Sequence, residues 1–157
     1  MTASDFKHTM KALNAFGNFI ITTYKSQLEA EQMNNGELYS TIKYSVSTGN
    51  SGWVISVSLA AYWKYIEYGR RPGKMPPLDV IEKWIDVKQI KPHSMTLKSG
   101  KTVIPTPPQL PFLIARSIGR RGIPPKPLFK NSFEAAKQQF IQVIKDAITQ
   151  DIKESLV

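Results

Sequence analysis

The sequence of 157 residues contains no cysteine. Disulfide bonds, thiolate nucleophiles and cysteine-ligated zinc or iron–sulfur centres are therefore excluded, and burial of side chains has to stabilise the fold. Long apolar runs are missing as well. No window approaches the roughly 20 apolar residues of a membrane-spanning helix, and residues 1–25 lack the apolar core of a signal peptide. We therefore expect a soluble protein that is made inside the cell and has the length of one domain.

Groups that commonly carry catalysis or bind metals are sparse. The two histidines, His8 and His93, are far apart and in no metal-binding spacing, and no serine or carboxylate stands where local structure would align it with either. Asp79 and Glu82 share a helical face, but lysines neighbour them, which favours a solvated charged surface over a catalytic carboxylate pair. The sequence therefore predicts no catalytic residue, no cofactor and no metal site, and a protein that is not an enzyme.

Positive charge is concentrated in the middle of the chain. Residues 64–130 hold fourteen of the 21 Lys and Arg but only four of the 12 acids, and they include all five arginines and all eleven prolines. Such a segment attracts nucleic acid, an anionic surface or an acidic protein, and charge alone does not choose among them. We interpret the chain as a single domain with a body formed by residues 1–60 and 128–157 and a basic, proline-rich interaction segment at residues 61–127.

Hydrophobic periodicity predicts an α+β fold in which long N-terminal and C-terminal amphipathic helices pack on a small antiparallel sheet. Ser4 or Asp5 is available as N-cap for the first helix. Alternating side chains at residues 37–47 and 53–60, around a turn at residues 48–52, predict a β-hairpin. The apolar stripe of the first helix is Phe6, Met10, Leu13, Phe16, Ile20, Tyr24 and Leu28, and that of the last is Phe129, Phe133, Ala136, Phe140, Val143 and Ala147.

Shorter elements are predicted for the segment between the long helices. They are helices at residues 60–69, 78–88 and 106–122, and a small hairpin around Ser99 and Gly100. In the first of these helices we expect Tyr62, Trp63 and Ile66 on the buried side, and most of its aromatic residues in the core. In the third, Leu110, Ile114 and Ile118 should face inward. None of these short helices is long enough to be stable alone, which points to support from the body or from a neighbouring subunit.

The stretch after the first short helix, "GRRPGK", lacks the G-x-x-x-x-G-K-[ST] frame of a phosphate-binding loop, and it reads as an exposed basic loop. Glu67 stands three residues before Arg70. Its carboxylate can pair with Arg70 or Arg71 within one subunit, or with an arginine of a neighbouring subunit, and the sequence leaves these alternatives open.

Three stretches carry a resemblance to a known family. The order Tyr62, Tyr65, Ile66, Glu67, Tyr68, Gly69 resembles the Tyr-x-x-Tyr-hydrophobic-Glu-aromatic-Gly signature of the tail-completion or neck (head–tail joining) proteins of tailed bacteriophages, the putative minor tail components first catalogued in lambdoid phages. The runs "MPPLDVIEKWIDVKQI" and "LPFLIARSIGRRGIPPKPLF" are similar to the version found in Bacteroides (crAss-like) phages. The resemblance covers residues 60–133. Arg70 departs from it, because many members have Thr there.

The resemblance implies a structural virion protein: a ring-forming subunit, in six or twelve copies, at the portal–tail junction. Its implied partners are further copies of itself, portal or adaptor proteins and tail proteins, with incidental contact to packaged DNA and none to membrane. It also implies synthesis in the host cytoplasm and a final location in the neck or tail of the virion.

Ring building needs heterologous contacts, in which one patch meets a different patch of the next copy. The aromatic-Gly-Arg-Arg loop and the Ile-Ala-Arg helix are candidates for the two sides. The interface residues we predict are Tyr62, Tyr65, Glu67, Tyr68, Gly69, Arg70, Arg71, Lys74, Arg116, Arg120, Arg121 and Lys126. The competing hypothesis is a nucleic-acid-binding module that uses the same basic aromatic segment, since cations beside stacking rings are typical of single-strand binders.

Overall fold

The structure, a computed structural model, describes residues 6–34, 36–49 and 52–156, and the chain divides into two compact units. The body unit comprises Met1–Glu67 and Pro127–Val157, and the basic unit comprises Tyr68–Lys126. Within the described residues the fold is α+β, with six α-helices and two antiparallel two-stranded sheets, which confirms the predicted class. The N-cap predicted at Ser4 or Asp5 lies outside the described residues, as does part of the turn predicted at residues 48–52.

Two long helices, α1 (Lys7–Ala30) and α6 (Leu128–Ser155), pack along each other in the body unit. The predicted stripe of α1 is confirmed from Leu13 to Leu28, with every member in this range buried. The stripe predicted for α6 is wrong in part, because Phe133 and Val143 are exposed. The buried residues of α6 are Leu128, Ser132, Ala136 and Asp151, so polar side chains contribute to its buried side beside the predicted Ala136.

The predicted hairpin is confirmed by β1 (Lys43–Gly49) and β2 (Gly52–Ser58), which pair antiparallel with Tyr44 opposite Val57 and Val46 opposite Ile55. The strand predicted from residue 37 is wrong at its start, where α2 (Glu37–Thr41) forms instead. Leu38 and Ile42 are both buried, and their spacing of four suits one face of a helix as well as one face of a strand. The hydroxyls of Ser40 and Thr41 hydrogen bond to the Glu37 carbonyl and so stabilise the helical turn.

The core of the body unit consists of two clusters of buried side chains. Trp63 and Ile66 of α3 (Trp63–Glu67) pack against the larger cluster, so this short helix belongs to the body unit. For this reason the basic unit begins at Tyr68, whereas the predicted interaction segment begins at residue 61. The larger cluster contains Tyr24, Leu28, Leu38, Ile42, Ala60 and Leu128, and the smaller contains Phe16, Ile20 and Ala136.

The basic unit contains two helices that pack on each other, α4 (Leu78–Lys88) and α5 (Leu110–Arg121), and a small sheet of β3 (Met95–Thr96) and β4 (Thr102–Val103). A 3₁₀ turn with a capping box, Pro107–Gln109, leads into α5. The helix positions agree with prediction, and Leu110 is buried as predicted, but further along α5 the buried residues are Ala115 and Gly119, whereas Ile114 and Ile118 are half-buried. The absence of a side chain at Gly119 allows residues 73 and 75 of the loop before α4 to lie directly against α5.

Candidate interaction site

The net charge of the chain resides in the basic unit. This unit holds twelve Lys and Arg against three acids, whereas the body unit holds nine of each, so the net charge of +9 is carried by residues 68–126. All five arginines of the chain are among them. A surface of this composition favours partners that present carboxylates or phosphates.

The segments that enter and leave the basic unit are joined by their backbones. Arg70 and Ile123 exchange N–H···O hydrogen bonds of 2.8 Å in each direction, forming an antiparallel bridge. Gly69 and Gly122 flank this bridge with φ of +69° and +72°. A Cβ at Gly69 would overlap the carbonyl oxygen of Ile123, and a Cβ at Gly122 would overlap that of Arg70. Only glycine fits such a close crossing in this conformation.

The loop after the bridge lies on the end of α5. Gly73 N–H donates to the carbonyl oxygen of Gly119 at 2.7 Å, and the Met75 side chain covers Gly119. The Arg70 guanidinium donates to the carbonyl oxygen of Lys74 at 2.6 Å, which closes the loop on itself. These contacts bring the cations of the loop beside the end of the helix that carries Arg120 and Arg121.

We expected the aromatic-Gly-Arg-Arg loop (residues 68–71) and the Ile-Ala-Arg helix, which is α5, to supply two different sides of a ring contact. That expectation concerns contacts between copies and stays a prediction; within one chain, the Gly73–Gly119 hydrogen bond and the Arg70–Ile123 bridge place the loop and the helix side by side in one surface. We call this surface the arginine patch. It comprises Arg70, Arg71, Lys74, Arg116, Arg120 and Arg121, all exposed except the half-buried Arg70.

The arginine patch suits planar anions. Arg120 and Arg121 occupy the last turn of α5, where the helix dipole favours cations. Arg121 also donates to the hydroxyl of Ser117 one turn earlier, which orients its guanidinium. Arginine binds carboxylate and phosphate groups through two parallel hydrogen bonds, so a patch rich in arginine recognises geometry as well as charge. Lys126, the last residue of the basic unit, is half-buried.

The tyrosines of the signature are more exposed than predicted. Tyr62, Tyr65 and Tyr68 are all exposed, and Tyr68 retains 72% of its accessible surface. The prediction of a mostly aromatic core is therefore wrong for the tyrosines and right for Trp63. The five-residue helix α3 has one inner face, which Trp63, Ile66 and Glu67 occupy at spacings of three and four.

Glu67 is buried, with 5% of its surface accessible, and its carboxylate caps α6. It accepts hydrogen bonds of 2.9 Å from the N–H groups of both Phe129 and Lys130, in the first turn of that helix. The predicted arginine partners are thereby replaced by a helix N-terminus, where the dipole favours a negative charge. As an interface residue the prediction of Glu67 is wrong, because its charge is already satisfied inside the body unit.

The residue before α6 is a sequence signal for a cap from a distant residue. This residue is Pro127, which has no side-chain oxygen with which to cap a helix. The first N–H groups of a long helix without a local cap need another acceptor, and here a side chain from elsewhere in the chain provides it. Glu67 is the acid of the signature, and it is the last residue of the first segment of the body unit.

The other long helix is capped in the same way. The α1 helix also lacks a local side-chain cap, and the buried carboxylate of Asp151 accepts hydrogen bonds from the N–H groups of His8 (3.0 Å) and Thr9 (2.7 Å). Burial alone would raise the pKa of Asp151, but hydrogen bonds from Thr9 and His8 hold it below its ordinary value. Nearby, Glu154 binds Lys7 and His8, and the Lys7 ammonium lowers the pKa of Glu154. Sequence reasoning missed both carboxylates.

Within residues 6–34, 36–49 and 52–156, no three His, Asp or Glu side chains come close enough to hold a metal ion. No helix in these ranges has the length and apolarity to cross a membrane.

Comparison of the chain with protein-family models, with curated protein sequences and with solved structures gives no match.

Proposed function

We propose that this protein is a structural component of a tailed-bacteriophage virion, a neck or tail-completion subunit that forms a ring of six or twelve copies at the head–tail junction. One observation carries the proposal. The chain combines a body unit without net charge with a separate unit that bears the whole charge of +9. In this proposal the body unit provides the scaffold and the basic unit docks onto neighbouring proteins.

The residues that carry the family resemblance support this division of labour. Glu67 fastens the end of α3 to the first turn of α6 in the body unit, and Gly69 permits the backbone crossing in the basic unit. The Tyr62 hydroxyl accepts the N–H of Leu38 at 2.7 Å, at the start of α2. Each of these positions therefore has a structural task within its own unit, as expected of a signature that preserves an architecture instead of a catalytic site.

The arginine patch defines the proposed partner chemistry. Its side chains offer bidentate donors for carboxylates, so acidic faces of portal, adaptor or tail proteins, or of the next copy, are its proposed partners. Since the patch is one surface, the complementary side of a ring contact has to come from other residues or from another protein.

Charge reversal in the patch tests the proposed function. Replacing Arg120 and Arg121 together with Glu is expected to leave folding unchanged, because both are exposed, and to block completion of infectious particles. Lys98→Glu with Lys101→Glu is the matched control, since it changes the net charge equally at exposed positions of the same unit. Particle titre and mass spectrometry of purified particles provide the readouts. Normal titre with the arginine variant, or absence of the protein from particles, would contradict the proposal.

A second candidate function, nucleic-acid binding, is favoured by one observation: Tyr68 is highly exposed two residues before Arg70, and an exposed aromatic ring near cations in the sequence is typical of proteins that stack on bases. Labelled single-stranded DNA titrated with the protein at increasing salt distinguishes the two candidates. A binder would show an affinity that falls steeply with salt and that Tyr68→Ala weakens. A ring subunit should show weak binding that Tyr68→Ala leaves unchanged.

A further inference from the structure

Helix α4 has apolar side chains on two faces. One face lies inward, with Ile81 buried and Ile85 half-buried where α4 and α5 pack together. The second face carries Val80, Trp84 and Val87, which retain 53%, 45% and 58% of their accessible surface. A helix needs only one apolar face to pack on its own unit. A second, exposed apolar face is typical of a surface that binds another molecule.

The spacing of the exposed face is that of a helix–helix seam. Val80, Trp84 and Val87 follow each other at intervals of four and three, as successive core positions of a heptad do. Trp84 stands in the centre, and tryptophan is enriched among the residues that dominate binding energy in protein interfaces. We call these three residues the α4 seam.

The charges around the α4 seam are arranged by sign. With about 100° of rotation per residue, Lys83 lies about 70° to one side of the seam and Lys88 about 70° to the other. The three acids of α4, Asp79, Glu82 and Asp86, are all on the remaining part of the helix surface. In heptad terms the two lysines occupy the positions that flank a coiled-coil core and pair with charges of the opposite sign on the partner helix.

We propose that the α4 seam binds an acidic amphipathic helix of a partner protein, one with an apolar stripe of the same spacing and Glu or Asp on both sides of it. Hydrophobic burial of Trp84 and the two valines would supply most of the affinity. Pairing of Lys83 and Lys88 with the flanking carboxylates would set partner choice.

Two other occupants fit less well. A second copy of α4 would set lysines against lysines in either helix orientation, because both flanking positions carry the same sign. A nucleic acid would satisfy the lysines but would leave the valines and part of Trp84 without apolar partners. The α4 seam is also distinct from the arginine patch, which lies on the loop after Gly69 and on α5.

The composition of the basic unit agrees with this proposal. Both clusters of buried side chains among the described residues belong to the body unit. The basic unit keeps several large apolar side chains exposed, so a partner that covers one of its helix faces would add apolar burial that the unit itself has little of. The inference goes beyond the proposed virion role and stands independently of it.

Two designed peptides test the proposal with the full chain. Each has about three heptads with leucine at the core positions, and the flanking positions are all Glu in one peptide and all Lys in the other. Fluorescence anisotropy of the labelled peptides is expected to show saturable binding of the Glu peptide below about 100 µM, and none of the Lys peptide at the same concentration. Circular dichroism of each protein variant confirms that it is folded.

Matched substitutions locate the binding. Trp84→Ala should weaken binding of the Glu peptide at least about tenfold, whereas Phe112→Ala, which removes an equally exposed aromatic ring from α5, should leave it unchanged. Lys83→Glu should weaken it about threefold or more, and Lys98→Glu on the β3–β4 loop should not.

Three results would overturn the inference. They are equal binding of the two peptides, binding that Trp84→Ala does not change, and a dimer of the chain that Trp84→Ala dissociates, since the last would make the seam an interface between copies. None of these results bears on whether the protein is found in phage particles, so the inference and the proposed function can fail separately.

Discussion

At the residue scale, two glycines allow the backbone segments at the two ends of the basic unit to pair. Gly69 and Gly122 both have positive φ, and both face a backbone carbonyl oxygen of the opposite segment where a Cβ would have to stand. Backbone atoms cannot move aside as a flexible side chain end can. The strain of an alanine here would therefore add to the cost of the left-handed conformation itself.

A comparison of two substitutions separates these costs. Gly122→Ala is expected to lower the free energy of unfolding by at least about 1 kcal/mol more than Gly100→Ala. Gly100 also has positive φ, +79°, but a Cβ there would meet no atom within 4 Å. Urea denaturation followed by circular dichroism provides both values. Equal losses would mean that the crossing at Gly122 is not closely packed.

Glu67 is the residue of the signature whose side chain has the best-defined partners. Glu67→Gln keeps the size but replaces the carboxylate that binds the N–H groups of Phe129 and Lys130. Loss of one acceptor and of the favourable charge at the N-terminus of α6 should destabilise the protein by about 1–2 kcal/mol. Glu82→Gln, at an exposed position of α4, is the control and should have little effect. If thermal melts give the two variants the same stability, Glu67 does not cap α6.

Asp151 makes stability depend on pH in the acidic range. Its folded-state pKa is lowered, so the carboxylate contributes stability above the ordinary pKa of Asp, about 3.9, and this contribution is lost as the pH falls through the folded-state pKa. Asp151→Asn should destabilise the protein at pH 7 and flatten the loss of stability below pH ~4. Asp146→Asn, at an exposed position of the same helix, should leave stability at pH 7 near that of the wild type. Denaturation curves from pH 3 to pH 7 measure both, and an unchanged acid limb in Asp151→Asn would refute this role.

At the element scale, α1 and the β1–β2 hairpin meet where a helix residue has no side chain. Gly17 is buried in the middle of α1, and a Cβ there would overlap the ring of Tyr44 on β1. Alanine is the better helix former by up to about 1 kcal/mol, yet overpacking of a core contact costs about 1–3 kcal/mol. The contact between α1 and β1 therefore decides whether an alanine at position 17 stabilises or destabilises the protein.

Gly17→Ala alone is expected to destabilise the protein, and the same substitution in a Tyr44→Ser background is expected to stabilise it. The reversal follows because the second background removes the ring and leaves only the gain in helix propensity. A double-mutant cycle from urea denaturation measures the coupling. Additive effects would show that α1 and β1 do not meet at Gly17.

Predictability from sequence differed between elements for physical reasons. The stripe of α1 was predicted well, because a single period of three and four runs through residues that are all apolar. The α2 helix was missed because Leu38 and Ile42 satisfy both periodicities. The face of α6 was mispredicted in part because the helix buries Ser132 and Asp151 beside Leu128 and the predicted Ala136, and a hydrophobic pattern does not select polar residues as buried ones.

At the scale of the whole molecule, the sequence predicted where the charge lies but not how its parts meet. The two arginine clusters are some fifty positions apart in the chain, and the backbone contacts of Arg70 with Ile123 and of Gly73 with Gly119 bring them into one patch. Contacts of such separation, like the carboxylate caps of Glu67 and Asp151, depend on the tertiary fold and have no local signature. The signature residues were recognised from their pattern, whereas their tasks became clear only from their hydrogen bonds.

The whole molecule thus combines a body unit without net charge with a basic unit whose two ends pair at the Arg70–Ile123 bridge. We propose that this combination builds a ring at the head–tail junction of a tailed phage. Single-particle electron microscopy of the virion, with the protein located by an antibody label, tests it most directly. We expect label and ring-shaped density between the portal and the tail, with six or twelve copies. Particles that lack the label while the protein remains in the host cytoplasm would contradict it.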